Sequence, residues 1–552
     1  MMIKGFNKKD LHFIPLGGAG EIGMNCYLYH YNNNWLMIDL GVMFSNNDLS
    51  AYELIMPNLN FIFENKLNLS GIILTHAHED HIGAVPYLND IIGNIPIYTT
   101  SFTASVLKRK FDSIKNPPNK INLLDYNKKV NIGNFEIEIL SLTHSIPEPN
   151  AIILKTPTVK VFHTGDWKID PKPLVGNPIN IEKISSLKQT GIDVMICDST
   201  NVFDENPSGS EDEVRKKLRE VFQSFNTGKI VITCFASNIA RLETILKISN
   251  EFQRSCVLLG RSMHRIYDAA LESNYLIDEK NIISEKDAKY LPDENLVLIC
   301  TGSQGESRAS LSRLVNGKHK YFYLNKNDLI IFSSREIPGN EKAINDIKAK
   351  ITKIGSKMLD HRTSNIHVSG HPSKTELRKM YDWVNPSTVI PIHGEYRHLF
   401  EHKRYIDKCK VSKSLLVENG DVVKLSNQDN TKIIDKIFSG RNVMRGKSIL
   451  SIDNNLLSRL NLVSSNGELY VAIITNTNNI IVTDPLIFCP TITDEDLILD
   501  DLKQLIKKEF SSLSKQSIND NILSEQIKAL TRSFIKNKLG LKPLTYVEIV
   551  RI

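Results

Sequence analysis

Thr75-His76-Ala77-His78-Glu79-Asp80-His81 follows directly on the apolar run Gly71-Ile72-Ile73-Leu74, and the reading of this stretch decides the fold. The apolar run predicts a strand. It therefore delivers four potential metal ligands, His76, His78, Asp80 and His81, into a loop at one sheet edge, before a helix-like continuation from Ile82. Three imidazoles and a carboxylate suit a borderline divalent ion such as zinc. They are too many for one open catalytic site, so the cluster points to two metals. A solvated surface cluster of His and Asp is the competing reading, and it is disfavoured because imidazoles rarely crowd without a ligand to share.

The other ligands of such a centre must come from elsewhere, and the chain offers them at strand ends. His144 follows Ile139-Leu140-Ser141-Leu142-Thr143, Asp166 closes Phe162-His163-Thr164-Gly165-Asp166, and His393 ends Val389-Ile390-Pro391-Ile392. Each is a polar ligand where a strand runs out, so one sheet edge can gather them all.

Composition frames this reading. A chain of 552 residues has room for about three to four domains with real cores. The net charge of +6, from 68 basic and 62 acidic residues, permits a polyanionic partner without demanding one. Seven cysteines lie scattered with no Cys-x-x-Cys pair. Cys197, Cys234, Cys256 and Cys300 sit in or beside strand-like runs, where a thiol acts as a small hydrophobe. A reducing cytoplasm is the expected home. Met1–Asp10 carries no apolar h-region and no stretch approaches eighteen apolar residues, so neither secretion nor a membrane span is expected.

The rhythm of the chain changes along its length. Up to about Asn206, short runs such as Trp35-Leu36-Met37-Ile38 and Phe135-Glu136-Ile137-Glu138-Ile139 predict a sheet-rich layered domain. Between Pro207 and Gly370 the pattern becomes strand–helix alternation. Continuous apolar runs there (Ile230-Val231-Ile232, Cys256-Val257-Leu258-Leu259, Leu296-Val297-Leu298-Ile299, Leu329-Ile330-Ile331-Phe332) suit a parallel sheet covered on both faces. Ligands of such a sheet gather at its carboxyl edge. The first pattern returns over 371–425, and Ser426 to Ser439 reads as a linker, carried on to 450. Over 451–552 we expect a small α/β accessory or oligomerisation module. Its strand pair would be Glu468–Ile474 with Ile480–Val482. Two amphipathic helices follow, carrying Leu502, Leu505, Ile506, Phe510 and Leu513, then Leu523, Ile527, Leu530 and Phe534, before a last strand near Thr545–Val550.

The His-x-His-x-Asp-His run followed by His144 and Asp166 resembles the metal signature of the metallo-β-lactamase fold, an αββα sandwich. Asp39, closing Leu36-Met37-Ile38-Asp39, matches that fold's first motif. The long stretch 167–392 before the last ligand resembles the β-CASP branch, whose inserted α/β domain serves nucleic-acid processing. Further motifs narrow the likeness to the ribonuclease J family: Leu16-Gly17-Gly18-Ala19-Gly20-Glu21-Ile22-Gly23-Met24-Asn25, Cys197-Asp198-Ser199-Thr200-Asn201, Cys300-Thr301-Gly302-Ser303-Gln304-Gly305-Glu306, His367-Val368-Ser369-Gly370-His371 and Ile392-His393-Gly394-Glu395. Three features depart from the family pattern. Ser307-Arg308-Ala309 stands where Pro-Met-Ser is more usual, Pro372 stands where a small residue is usual, and the tail lacks a Ser-Arg-Gly-Phe segment.

The resemblance implies that His76, His78 and His144 hold one zinc, that Asp80, His81 and His393 hold a second, and that Asp166 bridges them. Asp39 and Asp198 support the site from behind, and manganese or magnesium can replace zinc in vivo. It implies a zinc-dependent 5′→3′ exoribonuclease favouring 5′-monophosphate ends, with endonuclease activity, acting in RNA processing and decay as a homodimer or homotetramer. Single-stranded RNA is the expected partner. Asp80 would also orient the attacking group or accept its proton, and His371 would protonate the leaving 3′ oxygen. Ser237, Ser369 and Gly370 fall in strand-end turns able to cradle a phosphate, and the resemblance makes them, with His367 and His371, a 5′-monophosphate pocket. His367 is the alternative of a phosphate contact or a support to the site.

Two other functions remain open on the sequence, a catalytically weak RNA-binding partner subunit and a small-molecule metallo-hydrolase. Other features lead nowhere. Gly18-Ala19-Gly20-Glu21-Ile22-Gly23 fits a dinucleotide-binding pattern, but the strand-like Asn25-Cys26-Tyr27-Leu28-Tyr29 follows where a helix is required. His12, His30, His163, His264 and His361 have no partner spacing and read as structural or solvated. Lys108-Arg109-Lys110 and Lys216-Lys217 read as solvated helix faces.

Overall fold

The computed structural model describes residues 6–44, 52, 54–112, 114, 120–277, 281–337, 339–409, 411–427, 430–446, 448–452, 454–490, 496–514 and 519–552. Of Met1–Asp10, read above for a secretory signal, residues 1–5 lie outside the described residues. The chain divides into two compact units, Met1–Leu450 and Ser451–Ile552.

Two large sheets stack face to face in the first unit. One has eight strands, in the order Lys432–Lys436, Asp421–Leu425, Leu11–Gly17, Cys26–Tyr31, Asn34–Ile38, Leu69–Ile73, Ile97–Thr99 and Ile121–Leu123. The other has seven: Val130–Ile132, Phe135–Ser141, Asn150–Lys155, Lys160–His163, Val194–Asp198, Thr388–Ile392 and Lys413–Ser414. Side chains alternate across each strand, so each sheet sends one set inward and one outward. Phe13, Tyr27, Leu36, Ile38 and Ile73 of the first sheet meet Ile137, Ile139, Leu154, Val161 and Ile390 of the second in one core. Outward, Leu28, Met37 and Ile72 pack on Phe102 and Val106 of the helix Ser101–Phe111. Ile153, Phe162 and Met195 pack on Leu187 of the helix Ile181–Thr190 and on Leu377 and Met380 of the helix Lys374–Val384. The result is the αββα sandwich. Each large side chain so buried contributes about 1.5–3 kcal/mol.

The continuous apolar runs of 207–370 form a separate five-stranded sheet, ordered Ser255–Leu259, Leu296–Cys300, Ile230–Thr233, Leu329–Phe332 and Lys357–Leu359, with every pair parallel. Both faces are covered, which is why the runs are apolar throughout. Ile230, Ile232, Leu258, Val297 and Ile331 face the helices Glu211–Ser224, Ile239–Glu251 and Arg261–Glu272. Val231, Val257, Leu298 and Ile330 face the helices Ser310–Val315 and Glu341–Ile354.

The stretch read as a linker over 426–450 is instead woven into sheets. Residues 428–429 are not described, but Lys432–Lys436 is an edge strand pairing Asp421–Leu425, and Arg441–Arg445 pairs Leu54–Pro57. An edge strand with three of its five side chains exposed and none buried has no apolar period to betray it.

The second unit holds a three-stranded sheet, Leu486–Phe488, Glu468–Thr475 and Leu544–Arg551, against the helices Asp496–Leu513 and Asp520–Leu539. Leu502, Ile506, Phe510, Leu523 and Ile527 close its core. Ile480–Val482 is not the partner strand. It makes one bridge to Thr475, and Leu486–Phe488 pairs Glu468–Thr475 instead, because Asp484-Pro485 separates the two runs and leaves Ile480 and Val482 exposed. A helix over Asn454–Asn466 escaped the sequence reading. All seven cysteines are free thiols. No helix among the described residues is long and apolar enough to cross a membrane.

Candidate metal centre

The strand Leu69–Ile73 ends where expected, and Thr75 to His81 turns across the edge shared by the two sheets. A four-residue helix, Glu79–Ile82, closes the loop; the sequence reading began its helical continuation only at Ile82. The loop is pinned from behind. Asp39, at φ +61° after the strand Asn34–Ile38, accepts the Thr75 N–H at 2.8 Å and the Thr75 hydroxyl at 2.9 Å. Its Oδ2 lies 2.7 Å from Nδ1 of His81, which fixes that ring with Nε2 toward the other ligands. From the other side the Asn25 N–H donates to the Asp80 carbonyl at 2.9 Å. Gly41 lets that carbonyl approach, since a Cβ there would lie 1.7 Å from it.

Three overlapping donor groups result among the described residues; two of them contain all seven proposed ligands, and the third joins Asp198 and His371 to His393. In the first, Nε2 of His76 and Nε2 of His144 lie 3.0 and 3.1 Å from Nδ1 of His78, and Oδ2 of Asp166 is 3.8 and 3.7 Å from the two Nε2 atoms. In the second, Nε2 of His81 is 3.2 Å from Oδ2 of Asp166 and 3.6 Å from Oδ2 of Asp80. Nε2 of His393 lies 3.4 and 3.5 Å from the same two oxygens. One oxygen, Oδ2 of Asp166, therefore faces both groups.

These spacings fit a metal. Ligands at about 2.0–2.1 Å around a tetrahedral ion sit about 3.3 Å apart. Three imidazole nitrogens converging in a buried pocket otherwise leave lone pairs facing one another. The electrostatics split along the same line. Burial lowers His78 and His76 well below the usual histidine range, and His144 to about 3, so all three are neutral, as a metal ligand requires. Burial opposes charge on His81 and His393 too, but Asp166 and Asp80 outweigh it and raise both. Asp166, despite burial, is held well below the usual carboxylate range by His393, His81 and His371.

The loop 366–371 joins this centre to the inserted domain. Nδ1 of His144 donates to the Gly370 carbonyl. Only glycine fits at 370, because a Cβ would come within 2.7 Å of Cε1 of His144. Nδ1 of His371 lies 2.8 Å from Oδ2 of Asp198 and 3.8 Å from Oδ2 of Asp166. Burial pushes the His371 imidazole down, but Asp198 and Asp166 carry it up to about 9. The Ser369 hydroxyl accepts the His371 N–H at 3.1 Å, and Pro372 restricts His371 to extended backbone before the Ser373 N-cap. His367 has Nδ1 buried without a hydrogen-bond partner. Ser237, half-buried just before the Asn238 N-cap, makes no hydrogen bond to the loop.

The sequence reading missed what holds this loop. Arg241, fully buried on the helix Ile239–Glu251, donates from Nη1 to the Ile366 carbonyl at 3.0 Å and the Ser333 carbonyl at 2.7 Å. Its Nη2 and Nε clamp the buried Glu211 at 3.0–3.2 Å. An Arg within an ordinary amphipathic pattern gives no signal of this. The glycine-rich stretch has its explanation here as well. Ala19–Gly20 pairs Gly394–Glu395, and the His393 N–H donates to the Gly18 carbonyl at 2.6 Å, so the stretch seats the last ligand. Of the basic runs, Lys216 and Lys217 are exposed and pair Asp212 and Glu220 as expected, but Arg109 and Lys110 are only 25% and 10% exposed and pair Glu272 and Glu79, so that run is not a solvated face.

Three family models match the chain: metallo-beta-lactamase superfamily over 19–167, the beta-CASP domain of ribonuclease J over 227–351, and the RNA specificity domain of Zn-dependent metallo-hydrolases over 359–414. Ribonuclease J of Sinorhizobium meliloti is 34% identical over 99% of this chain and 98% of its own. Ribonuclease J of Mycolicibacterium smegmatis is 32% identical over 92% of this chain and 91% of its own. That of Helicobacter pylori is 30% identical over 99% of this chain and 79% of its own. Among solved structures, a protein of unknown function from Enterococcus faecalis aligns at a TM-score of 0.53 and 16% identity. The match spans 75% of this chain and all of that one, a likeness of fold.

Proposed function

Because this chain belongs to the ribonuclease J family, and is a metal-dependent ribonuclease that binds RNA, we propose that it removes nucleotides from the 5′ end of single-stranded RNA. It favours a 5′-monophosphate and also makes internal cuts. Two zinc ions are the cofactor in this reading. His76, His78, His144 and Asp166 hold one, and Asp80, His81, His393 and Asp166 the other. When bound, the ions supply Lewis acidity, lowering the pKa of water and neutralising the phosphoryl oxygens.

The chain's own groups do the rest. Asp198 holds Nδ1 of His371, which leaves Nε2 to carry the proton to the departing 3′ oxygen. Asp39 and Asn25 fix the His81 ring and the Asp80 backbone, so these ligands need no reorganisation. His367, Ser369, Gly370 and His371, with Ser237 from the neighbouring strand-end loop, receive the 5′ phosphate. The buried, unpartnered Nδ1 of half-buried His367 is a donor or acceptor still to be satisfied. The single observation that carries the reading is the shared Asp166 oxygen flanked by a His–Asp pair: one edge offers two metal positions and a proton donor.

The test uses one RNA bearing a monophosphate, triphosphate or hydroxyl at its 5′ end, labelled in the first nucleotide. Labelled mononucleotide should appear first from the monophosphate RNA, and should vanish with chelator or in His78→Ala. Internal fragments with no end preference would overturn the 5′ reading. No cleavage by the folded, zinc-loaded chain would overturn the catalytic one.

A further inference from the structure

The inserted sheet has two ends. Its carboxyl edge leads to Ser333 and the loop 366–371, and so to the metal centre. Its amino edge lies at Lys229, Asp293 and Asp328, where Lys229 pairs both aspartates and Asn325 donates to Asp293. Two segments run together at this far edge, one after the helix Glu285–Ala288 and one after the helix Ser310–Val315.

Aromatic rings and ammonium groups alternate here. Tyr290 is 77% exposed and Tyr323 62% exposed, the latter although it stands between Phe322 and Leu324, which pack inward. Nζ of Lys289 sits 4.5 Å from the Tyr290 ring centre and 5.9 Å from that of Tyr321, and Nζ of Lys320 lies 5.1 Å from Tyr321. Tyr321 is anchored by Phe322 and Leu324, which enter the core under the sheet, so the platform is fixed. Lys289, Lys318 and Lys320 are in no ion pair among the described residues. Neighbouring carboxylates are engaged elsewhere: Glu285 faces His319, Asp287 takes the Ser284 hydroxyl, and Asp293 takes Lys229.

Large exposed rings cost solvation without contributing to a core, and uncompensated lysines ask for an anion. A ligand offering both flat π faces and regularly spaced negative charge is a single-stranded nucleic acid, whose unpaired bases stack on phenols while its phosphates meet ammoniums. A duplex keeps its base faces to itself, and an acidic protein offers charge without the planes. We infer that Lys289, Tyr290, Lys318, Lys320, Tyr321 and Tyr323 form an RNA-binding exosite. It engages the strand well downstream of the nucleotide at the metal centre, since at least the length of a sheet strand, about 17 Å, separates the two edges. Which part of the strand arrives there rests on the proposed 5′-first reading; that RNA binds there does not.

The experiment uses the full chain in chelator, so that binding is read without cleavage, with RNAs of about five and about forty nucleotides. Removing both exposed rings (Tyr290→Ala with Tyr323→Ala) should weaken binding of the long RNA by about fivefold or more and leave the short one unchanged. Lys289→Gln with Lys320→Gln should lower the slope of log affinity against log salt by about 1.4 for the long RNA. A photoactivatable long RNA should cross-link to Tyr323. With metal restored, the variants should cleave the short RNA at the parental rate, which shows the fold and centre intact. Unchanged affinity and salt slope for the long RNA would overturn the exosite, whatever else the patch proves to bind. Loss of 5′-end preference on the short RNA would overturn the proposed function and leave the exosite standing.

Discussion

Replacing Arg241 by Met removes the guanidinium that ties the inserted domain to the loop bearing His371, while keeping most of its volume. The cost can be worked from its partners. Glu211 is buried and loses three charge-assisted contacts from Nε and Nη2, keeping only the Asn238 side-chain amide at 3.2 Å. Leaving one member of a buried ion pair alone costs about 3–5 kcal/mol. The Ser333 carbonyl also loses its 2.7 Å donor, worth about another 1 kcal/mol, whereas the Ile366 carbonyl still receives the Ser333 hydroxyl. We therefore expect a loss of about 4–6 kcal/mol, read as faster hydrogen exchange of the helix Ile239–Glu251 and of 366–371. Turnover on 5′-monophosphate RNA should fall by more than the loss of folded chain, because the loop that carries His371 loses the guanidinium at its Ile366 end. Arg241→Lys should rescue part of the stability but less of the turnover, since an ammonium cannot span Glu211 and two carbonyls at once. The double variant Arg241→Met with Glu211→Leu should regain most of the stability and none of the turnover. A single-variant cost under about 1 kcal/mol, or a double variant no more stable than the single, would refute the reasoning.

Other consequences can be checked separately. Gly370→Ala drives a methyl group to within 2.7 Å of the His144 ring, so zinc affinity should fall at least about tenfold in a competitive titration while the melting temperature of the chelated chain moves little. His12 and His30 are cross-strand partners, buried with Nδ1 atoms 3.3 Å apart, and burial lowers both to about 4. Their folded pKa lies below the unfolded value of 6.5, so the folded chain takes up protons less readily. Stability is full above pH 6.5 and declines as pH falls toward 4, by about 3 kcal/mol for each ring. His12→Phe should flatten the fall in melting temperature between pH 7 and 5, and an unchanged pH dependence would show the pair plays no part.

The seven proposed ligands could be picked out of the sequence because they lie near strand ends next to apolar runs, where period and chemistry agree. His76, His78, Asp80 and His81 are nearly contiguous, and His144, Asp166 and His393 each follow a strand, after Ser141, His163 and Ile392. The parallel sheet was legible for the same reason. What escaped was held by polar contacts between residues distant in the chain. Arg241 and Glu211 are 30 positions apart, and nothing in an amphipathic helix says that its Arg turns inward. Lys432–Lys436 escaped because an edge strand with solvated faces has the composition of a linker. Tyr290 and Tyr321 come together only once two loops meet at one sheet edge.

The loop 366–371 then has a consequence of its own. It hangs from two carbonyls, Ile366 bound by Arg241 of the inserted domain and Gly370 bound by His144 of the sandwich. Between them stand His367 and Ser369, and His371 follows immediately. A ligand that tightens His144 at the metal centre therefore tightens the Gly370 end of the loop. A phosphate seated against His367 and Ser369 bears on the same short stretch. Interactions sharing one segment couple, because ordering it once serves both. Metal affinity and affinity for a 5′-phosphorylated RNA end should thus rise together, and Arg241, which holds the far end, should set how strongly. In Arg241→Met the Ile366 end is held by the Ser333 hydroxyl alone, and each ligand then has to order more of the segment itself.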